Sequence, residues 1–198
     1  MRSNPDPADF NEFPSWSLAG FPDRAADSAA GRAADRTTGR TASGLASQPL
    51  SRSRMKEIAR EVAGSPGAWE RLVRMDPDNR WHQRLYSAAD YDVWLESWLP
   101  GQATGWHDHA GTSGVLVVAR GELEERVSVL NGVFTQVRHV PEGVARRMGR
   151  RQVHNLANAS LAPAVSIHVY SPPLGATRGY EIGAMGLMRS PWNASSPN

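Results

Sequence analysis

Short runs in which apolar and polar residues alternate fill the chain from Trp81 onward, and turn residues separate them. Such alternation predicts β-strands, because every second side chain of a strand points to the same face. Asn131-Gly132 lies between two of these runs and is a strong signal for a two-residue hairpin turn. Short strands at regular spacing predict a sandwich or a barrel. The predicted strands are 91–99, 105–109, 115–119, 122–130, 133–140, 153–157 and 164–171.

The residues before the predicted strands place their apolar side chains at helical spacing. Residues 51–63 open with serines that can cap a helix and then place apolar side chains at helical spacing, at Met55, Ile58 and Val62. Residues 67–75 predict a second helix, with Trp69 on its apolar face and an Asp-Pro-Asp stop after it. The sequence therefore predicts a short N-terminal helical segment ahead of a mainly β domain.

The chain begins with a segment rich in alanine, arginine, serine and glycine. Leu45 is the one large aliphatic residue in 24–47, so this stretch cannot bury enough apolar surface to offset the loss of chain entropy. Periodicity is also lost toward the C-terminus. We therefore expect a disordered tail, one domain and a C-terminal tail, over 1–50, 51–182 and 183–198 respectively.

Composition excludes several classes of function. The chain has no cysteine, which rules out disulfides, thiolate metal ligands and a cysteine nucleophile. The formal net charge of +2 is small, so neither nucleic acid nor a membrane surface is an expected partner. No apolar run approaches the length of a membrane span, and the N-terminus does not resemble a signal peptide. We therefore expect a cytoplasmic protein.

Histidines carry the strongest chemical signal. His107 and His109 are two residues apart in a predicted strand, so both imidazoles can face one metal ion while Asp108 points away. His154 follows one extended hairpin later and completes a candidate three-histidine site. Neutral imidazoles suit Zn, Fe, Cu and Ni, and a site with open positions is catalytic in style. The alternative for any single histidine is an ordinary surface or core residue.

A second constellation lies in the predicted strand 164–171. Ser166, His168 and Tyr170 are spaced two residues apart, so all three side chains point to one face. A hydroxyl, an imidazole and a phenol in one row can pass hydrogen bonds along it and orient the phenol toward a metal. The alternative is a polar, solvent-facing strand edge.

The residues around the histidines resemble the cupin superfamily. Gly101-x5-His107-x-His109 followed by Gly121 is similar to the first cupin motif, and His154-x3-Asn158 to the core of the second. The usual first motif also has a glutamate ligand four or five residues after its second histidine. Residues 110–114 contain no carboxylate, so the resemblance leaves three neutral ligands, which favour an anionic donor such as a thiolate.

The stretches 98–114, 154–158 and 164–173 together resemble the cysteine dioxygenase-like thiol dioxygenases, a cupin family that uses three histidines and no glutamate. The resemblance covers about residues 53 to 182 and implies a mainly β fold, the cupin double-stranded β-helix barrel. The implied Fe(II) ligands are His107, His109 and His154. The implied catalytic residues are Tyr170, His168 and Ser166.

The implied activity is that of a non-haem iron dioxygenase, which adds both atoms of O2 to the sulfur of a small thiol carboxylate. L-cysteine, giving cysteine sulfinate, is the first candidate substrate. Family members hold the substrate carboxylate with an arginine on a strand before the metal motif. Arg84 matches that arginine, assisted by Tyr170. The alternative for Arg84 is an ordinary surface residue in an arginine-rich chain.

The resemblance leaves the substrate open. Mercaptopropionate-type relatives have glutamine at the arginine position, and Gln83 is the adjacent residue, so 3-mercaptopropionate remains an alternative substrate. Animal members carry a Cys–Tyr thioether beside the iron. The cysteine position matches Gly114, so Tyr170 is expected to be a free phenol.

Two rival functions use the same motifs. One is a non-catalytic metal-binding cupin or thiol sensor, and the second is an isomerase or hydrolase that uses Zn or Mn. For the dioxygenase, the expected partners are a small thiol and O2, with the chain a monomer or a weak homo-oligomer.

Overall fold

The computed structural model describes residues 48–129 and 134–190. Within them, one α-helix, two short 3-10 helices and two antiparallel sheets follow one another. This architecture confirms the predicted mainly β fold with a short N-terminal helical segment. The elements are α1 (Arg52–Ala63), the 3-10 helices Pro66–Ala68 and Glu70–Leu72, β1 (Trp81–Ser87), β2 (Asp92–Trp98), β3 (Trp106–Asp108), β4 (Ser113–Arg120), β5 (Glu122–Val129), β6 (Phe134–Pro141), β7 (Ala145–Met148), β8 (His154–Ala157), β9 (Ala164–Ser171), β10 (Arg178–Gly183) and β11 (Gly186–Arg189).

The two sheets enclose an apolar interior. The first sheet has five strands in the order β1-β2-β9-β4-β7, and the second has six in the order β11-β10-β3-β8-β5-β6. One cluster of buried side chains joins both sheets, and its members include Trp94 and Leu116 from the first and Leu123 and Leu156 from the second. Strand alternation sends every second residue into this interior, which is where the candidate site lies.

Helix α1 covers the opposite face of the first sheet. Ser51 caps it by accepting a hydrogen bond from the backbone N–H of Arg54. Its buried residues, Met55, Ile58 and Ala59, join a second apolar cluster with outward-facing residues of β2, β4 and β9. Because both faces of the first sheet are covered, β9 is buried along its whole length.

The predicted second helix over 67–75 is wrong. Two single 3-10 turns and an extended segment occupy this region. Trp69 interrupts the helix at φ −137° and ψ −20°, because its indole is buried in the core under α1 and its Nε1–H donates to the carbonyl of Val62. Tertiary packing of this one side chain overrides the local helical preference.

Each predicted strand is present with small shifts at its ends. The strands β1, β7, β10 and β11 were not among the predictions. The pairing of β10 with β11 continues to Arg189, past the domain boundary at 182 that periodicity predicts. Most of the predicted N-terminal tail and the Asn131-Gly132 turn lie outside the described residues, although β5 and β6 pair on either side of that turn. No helix in the described part of the chain has the length and apolar character needed to cross a membrane.

Candidate metal centre

Three histidines of the second sheet and its adjoining loop come together in the interior between the two sheets. Pairing of β3 with β8 sets His107 directly opposite His154, and His109 follows β3 by one residue. One ring nitrogen from each side chain lies within 4.8 Å of the others. Their relative exposures are 7%, 1% and 0% for His107, His109 and His154, so water is nearly excluded from all three rings. The structure thus brings together the three histidines that the sequence selects.

The hydrogen bonds of these rings leave ring nitrogens free to coordinate a metal ion. Nδ1 of His107 lies 3.1 Å from the carbonyl oxygen of Gly105, and Nδ1 of His154 lies 3.1 Å from Oε1 of Glu125. Each acceptor holds a proton on Nδ1 and leaves a lone pair on Nε2. Nε2 of His154 and both ring nitrogens of His109 are buried without a hydrogen-bond partner among the described residues. Buried polar atoms are rarely left unpaired, so these nitrogens are available as ligands and the group could hold a metal ion.

Burial keeps two of the imidazoles in the form that binds metals. Loss of solvent, and secondarily the neighbouring His154, lower the pKa of His107 to about 3. Burial followed by the other histidines also lowers the pKa of His109 well below its usual value. Both rings are therefore neutral at physiological pH, and their lone pairs are available to a cation.

The loop between β3 and β4 keeps Asp108 out of the site. Asp108 Oδ2 accepts a hydrogen bond from the Tyr180 hydroxyl at 2.6 Å, and Oδ1 accepts one from the backbone N–H of Ala110 at 2.8 Å. Ala110 adopts the left-handed region at φ 51°, which turns the chain sharply after His109. Asp108 thus anchors the loop to β10 instead of offering a ligand.

Glu125 is a functional candidate that the sequence reading missed. Its side chain has no solvent exposure, and besides His154 it contacts Gln152, Arg138 and Arg146. Burial alone would raise the pKa of Glu125, but the hydrogen bond to His154 and the nearby guanidinium groups outweigh it and lower the pKa. An ionised carboxylate therefore orients a candidate metal ligand from behind. The sequence did contain a hint of this role, because Glu125 occupies an inward-facing position of β5 between two apolar inward-facing residues.

Ser166, His168 and Tyr170 form a continuous hydrogen-bonded row, which we call the phenol row. Ser166 Oγ lies 2.8 Å from His168 Nε2, and His168 Nδ1 lies 3.2 Å from the Tyr170 hydroxyl. All three side chains are buried, unlike a solvent-facing strand edge. The ring centroids of Tyr170 and His109 are 5.0 Å apart, so the phenol end of the row adjoins the histidine cluster.

The register of β1 against β2 places Arg84 and Gln83 on opposite faces of the first sheet. Arg84 pairs with Trp94, which pairs in turn with His168, so Arg84 shares the inner face of the sheet with the phenol row. Its guanidinium lies 5.4 Å from the Trp94 ring centroid and forms no direct ion pair with a described carboxylate. Gln83 pairs with Leu95 and therefore lies on the face that α1 covers.

Gly114 makes room for Tyr170. A β-carbon at position 114 would lie 2.8 Å from Cδ1 of Tyr170 and 2.7 Å from Cε of Met148. Those distances are too short for any side chain, so the phenol ring packs directly against the backbone of β4. The absence of a side chain at Gly114 therefore allows the tyrosine ring to occupy this position.

Two further charged residues near the phenol row were also missed. Glu96 lies on the inner face of β2 between Trp94 and Trp98, and Arg80 Nη1 donates to its Oε2 at 2.5 Å. The apolar alternation of β2 marks position 96 as inward-facing, and a charge at such a position was the overlooked signal.

Comparison with known proteins finds a family and individual relatives that match this chain. The family model for cysteine dioxygenase type I matches residues 50–182. The chain belongs to this family. Cysteine dioxygenase type 1 of Danio rerio is 21% identical over 148 residues, covering 68% of this chain and 72% of the relative. The family resemblance stated from the motifs alone is thereby confirmed, and the enzyme class of the chain is cysteine dioxygenase-like.

Parts of the chain are also similar to solved structures. TT1209 from Thermus thermophilus is 27% identical, with a TM-score of 0.46 over 52% of this chain and 93% of that one. A Klebsiella pneumoniae protein with a double-stranded β-helix domain is 21% identical, with a TM-score of 0.47 over 61% of this chain and 92% of that one. The two antiparallel sheets of the chain agree with the mainly β fold that its motifs predict.

Proposed function

We propose that this protein is an Fe(II)-dependent thiol dioxygenase that converts L-cysteine to cysteine sulfinate. The observation that carries the proposal is the contact between a buried three-histidine cluster and the phenol end of a hydrogen-bonded row. Family membership supports the same reaction class. A non-catalytic metal-binding cupin has no need of a phenol held beside its metal by two further side chains.

His107, His109 and His154 would hold the iron, because their unpaired or lone-pair nitrogens converge within 4.8 Å. Bound iron would supply a site where a thiolate and O2 meet, with the redox chemistry that places both oxygen atoms on sulfur. Imidazole ligands bring no negative charge, so the bound cation would keep its full charge and attract a thiolate strongly. Burial of the three rings excludes water that would compete for the same positions.

The phenol row would position Tyr170 to form hydrogen bonds with the reactants. Tyr170 is held by His168, and His168 by Ser166, so the phenol cannot rotate freely away from the histidine cluster. Burial, followed by the charge of Glu96, raises the pKa of Tyr170 well above its usual value. Tyr170 therefore stays protonated, so its hydroxyl can donate one hydrogen bond at a time, to His168 or to a reactant, while its oxygen accepts others.

Arg84 would bind the substrate carboxylate. It is the guanidinium on the inner face of β1 that has no direct carboxylate partner among the described residues, and its stacking on Trp94 limits its motion. Gln83, the residue expected at this place in mercaptopropionate-type relatives, lies on the opposite face. This register favours L-cysteine over an arrangement based on glutamine.

The test is direct measurement of thiol oxidation. The full chain is loaded with Fe(II) without oxygen, and O2 uptake is followed with L-cysteine, 3-mercaptopropionate and cysteamine. We expect one O2 consumed per sulfinate formed, with L-cysteine the best substrate. No O2 uptake with any of these thiols would overturn the proposal. A Tyr170→Phe variant that binds iron and thiol but loses turnover would distinguish the enzyme from a thiol sensor.

A further inference from the structure

A partly buried ion pair between Arg80 and Glu96 lies at the Ser166 end of the phenol row. Glu96 on β2 lies opposite Ser166 on β9 in the strand register. The Glu96 side chain is 12% exposed. The guanidinium of Arg80 bonds to Glu96 and also stacks 4.8 Å from the ring centroid of Trp98. Even partial removal of two charges from water carries a desolvation cost. An ion pair kept at this position therefore calls for a role in the barrel interior.

The carboxylate acts on one particular atom of the row. Oε2 of Glu96 lies 3.7 Å from Nε2 of His168, the same nitrogen that lies 2.8 Å from Ser166 Oγ. Ser166 Oγ already accepts a hydrogen bond from Trp98 Nε1 at 2.9 Å. The other ring nitrogen of His168, Nδ1, faces Tyr170. The two nitrogens of one imidazole thus meet different neighbours, with the negative charge on the Nε2 side.

This asymmetry distinguishes the two neutral forms of His168. Burial lowers the pKa of His168 in spite of the opposing charge of Glu96, so the ring carries one proton. With that proton on Nδ1, the Nε2 lone pair would face a carboxylate at 3.7 Å and be repelled. With the proton on Nε2, the N–H dipole is stabilised by the carboxylate and donates to Ser166 Oγ.

We propose that Glu96, held in place by Arg80, is a positioning residue that keeps the His168 proton on Nε2, so that Nδ1 accepts the hydroxyl proton of Tyr170. The row then has a fixed direction, from phenol to imidazole. Glu96 acts through His168 and does not itself touch the proposed substrate position. The pair therefore determines which way the phenol can pass a proton.

The consequence for turnover rests on the proposed function. Oxidation of a thiol to an ionised sulfinate, RSH + O2 → RSO2⁻ + H⁺, releases one proton. A bare Nδ1 gives that proton a destination, because Tyr170 passes its hydroxyl proton to His168 and takes the thiol proton in exchange. The imidazolium formed in this way lies beside the Glu96 carboxylate, which balances its charge.

The tautomer is tested on the metal-free full chain by NMR of ¹⁵N-labelled histidine, with the His168 signals assigned from a His168→Gln variant. We expect the wild-type His168 proton on Nε2 and a shift of the population toward Nδ1 in Glu96→Gln. Glu70→Gln is the matched control, because it removes a carboxylate from an exposed pair with Arg120 at 2.5 Å. The control should leave the His168 spectrum unchanged.

A wild-type spectrum with the proton on Nδ1 would overturn the inference, and so would a tautomer that Glu96→Gln does not change. The wild-type measurement decides the matter even if the variant does not fold. In the iron-loaded enzyme, Glu96→Gln should lower kcat for L-cysteine about tenfold with little change in KM. If the tautomer is as expected but wild-type protein oxidises no thiol, the proposed function fails and the positioning role stands.

Discussion

Nδ1 of His154 lies 3.1 Å from Oε1 of Glu125, and neither side chain has any exposure to solvent. The carboxylate fixes both the orientation of the ring and the position of its proton, so the Nε2 lone pair faces the other two histidines. The three-histidine site thus has a negative charge one hydrogen bond away from one of its rings. The hydrogen bond to His154, followed by the charges of Arg138 and Arg146, lowers the pKa of Glu125 against the effect of burial and keeps it ionised.

Glu125→Gln should weaken metal binding. The amide can no longer balance the charge that His154 gains on coordination, and loss of such a partner typically lowers affinity about 10- to 100-fold. Competition between the protein and a coloured chelator for Fe(II) or Zn(II) measures the effect. Glu124→Gln is the control, because Glu124 is the neighbouring residue of β5 and pairs with Arg126 at 2.6 Å. Equal affinities for the two variants would contradict a role for Glu125.

Arg84→Gln should impair the use of thiols that carry a carboxylate. Loss of a charge-assisted hydrogen bond typically costs about 1.5–3 kcal/mol, and Arg84 is exposed, so we expect kcat/KM for L-cysteine to fall about tenfold. Activity with cysteamine, which lacks a carboxylate, should change little. Gln83→Ala, on the opposite face of β1, should leave both substrates unaffected. A loss that is equal for L-cysteine and cysteamine would argue against carboxylate binding.

Gly114→Ala should displace the phenol. The new methyl group would lie 2.8 Å from a ring carbon of Tyr170, and such overpacking typically costs about 1–3 kcal/mol. We expect a lower melting temperature, together with a fall in kcat that exceeds any change in iron affinity. Gly149→Ala is the control, because its nearest neighbour would be 3.7 Å from the added carbon. Unchanged stability and activity would show that the ring has room to move.

The stability of the metal-free protein should fall as the pH drops below about 6.5. Burial, then the charge of His154, lowers the folded-state pKa of His107 to about 3 from an ordinary 6.5, so the unfolded chain binds the proton first. This one histidine should remove about 2 kcal/mol of the free energy of unfolding by pH 5 relative to neutral pH, and the loss should continue until the pH nears the folded value. His109 shifts in the same direction and should add to the slope.

Urea denaturation of metal-free protein at pH 5, 6 and 7 measures this dependence. His107→Asn should make the free energy of unfolding less dependent on pH, by the contribution of this one histidine. The exposed His139 pairs with Glu122 at the surface, so His139→Asn is the matched control and should keep the slope of the wild type. A free energy of unfolding that stays constant across this range would contradict the buried, neutral state of the metal-binding rings.

Local spacing by itself determined the elements that carry the site. His107 and His109 at i and i+2, and the row of Ser166, His168 and Tyr170, follow from the two-residue period of a strand, which depends on nothing outside it. The helix at 51–63 was equally predictable, because its apolar period and its serine cap are both local. The second helix was not, since the burial of Trp69 against α1 decided that segment.

Only the tertiary structure decided which residues stand behind the site. Glu125 reaches His154, and Glu96 reaches His168, across sequence separations of 29 and 72 residues, through pairings that no local pattern encodes. The choice between Arg84 and Gln83 likewise depends on the register of β1 against β2, because a slip of one residue would exchange their faces. The sequence therefore determined the chemistry of the metal-binding groups, while strand pairing determined the charges that orient them.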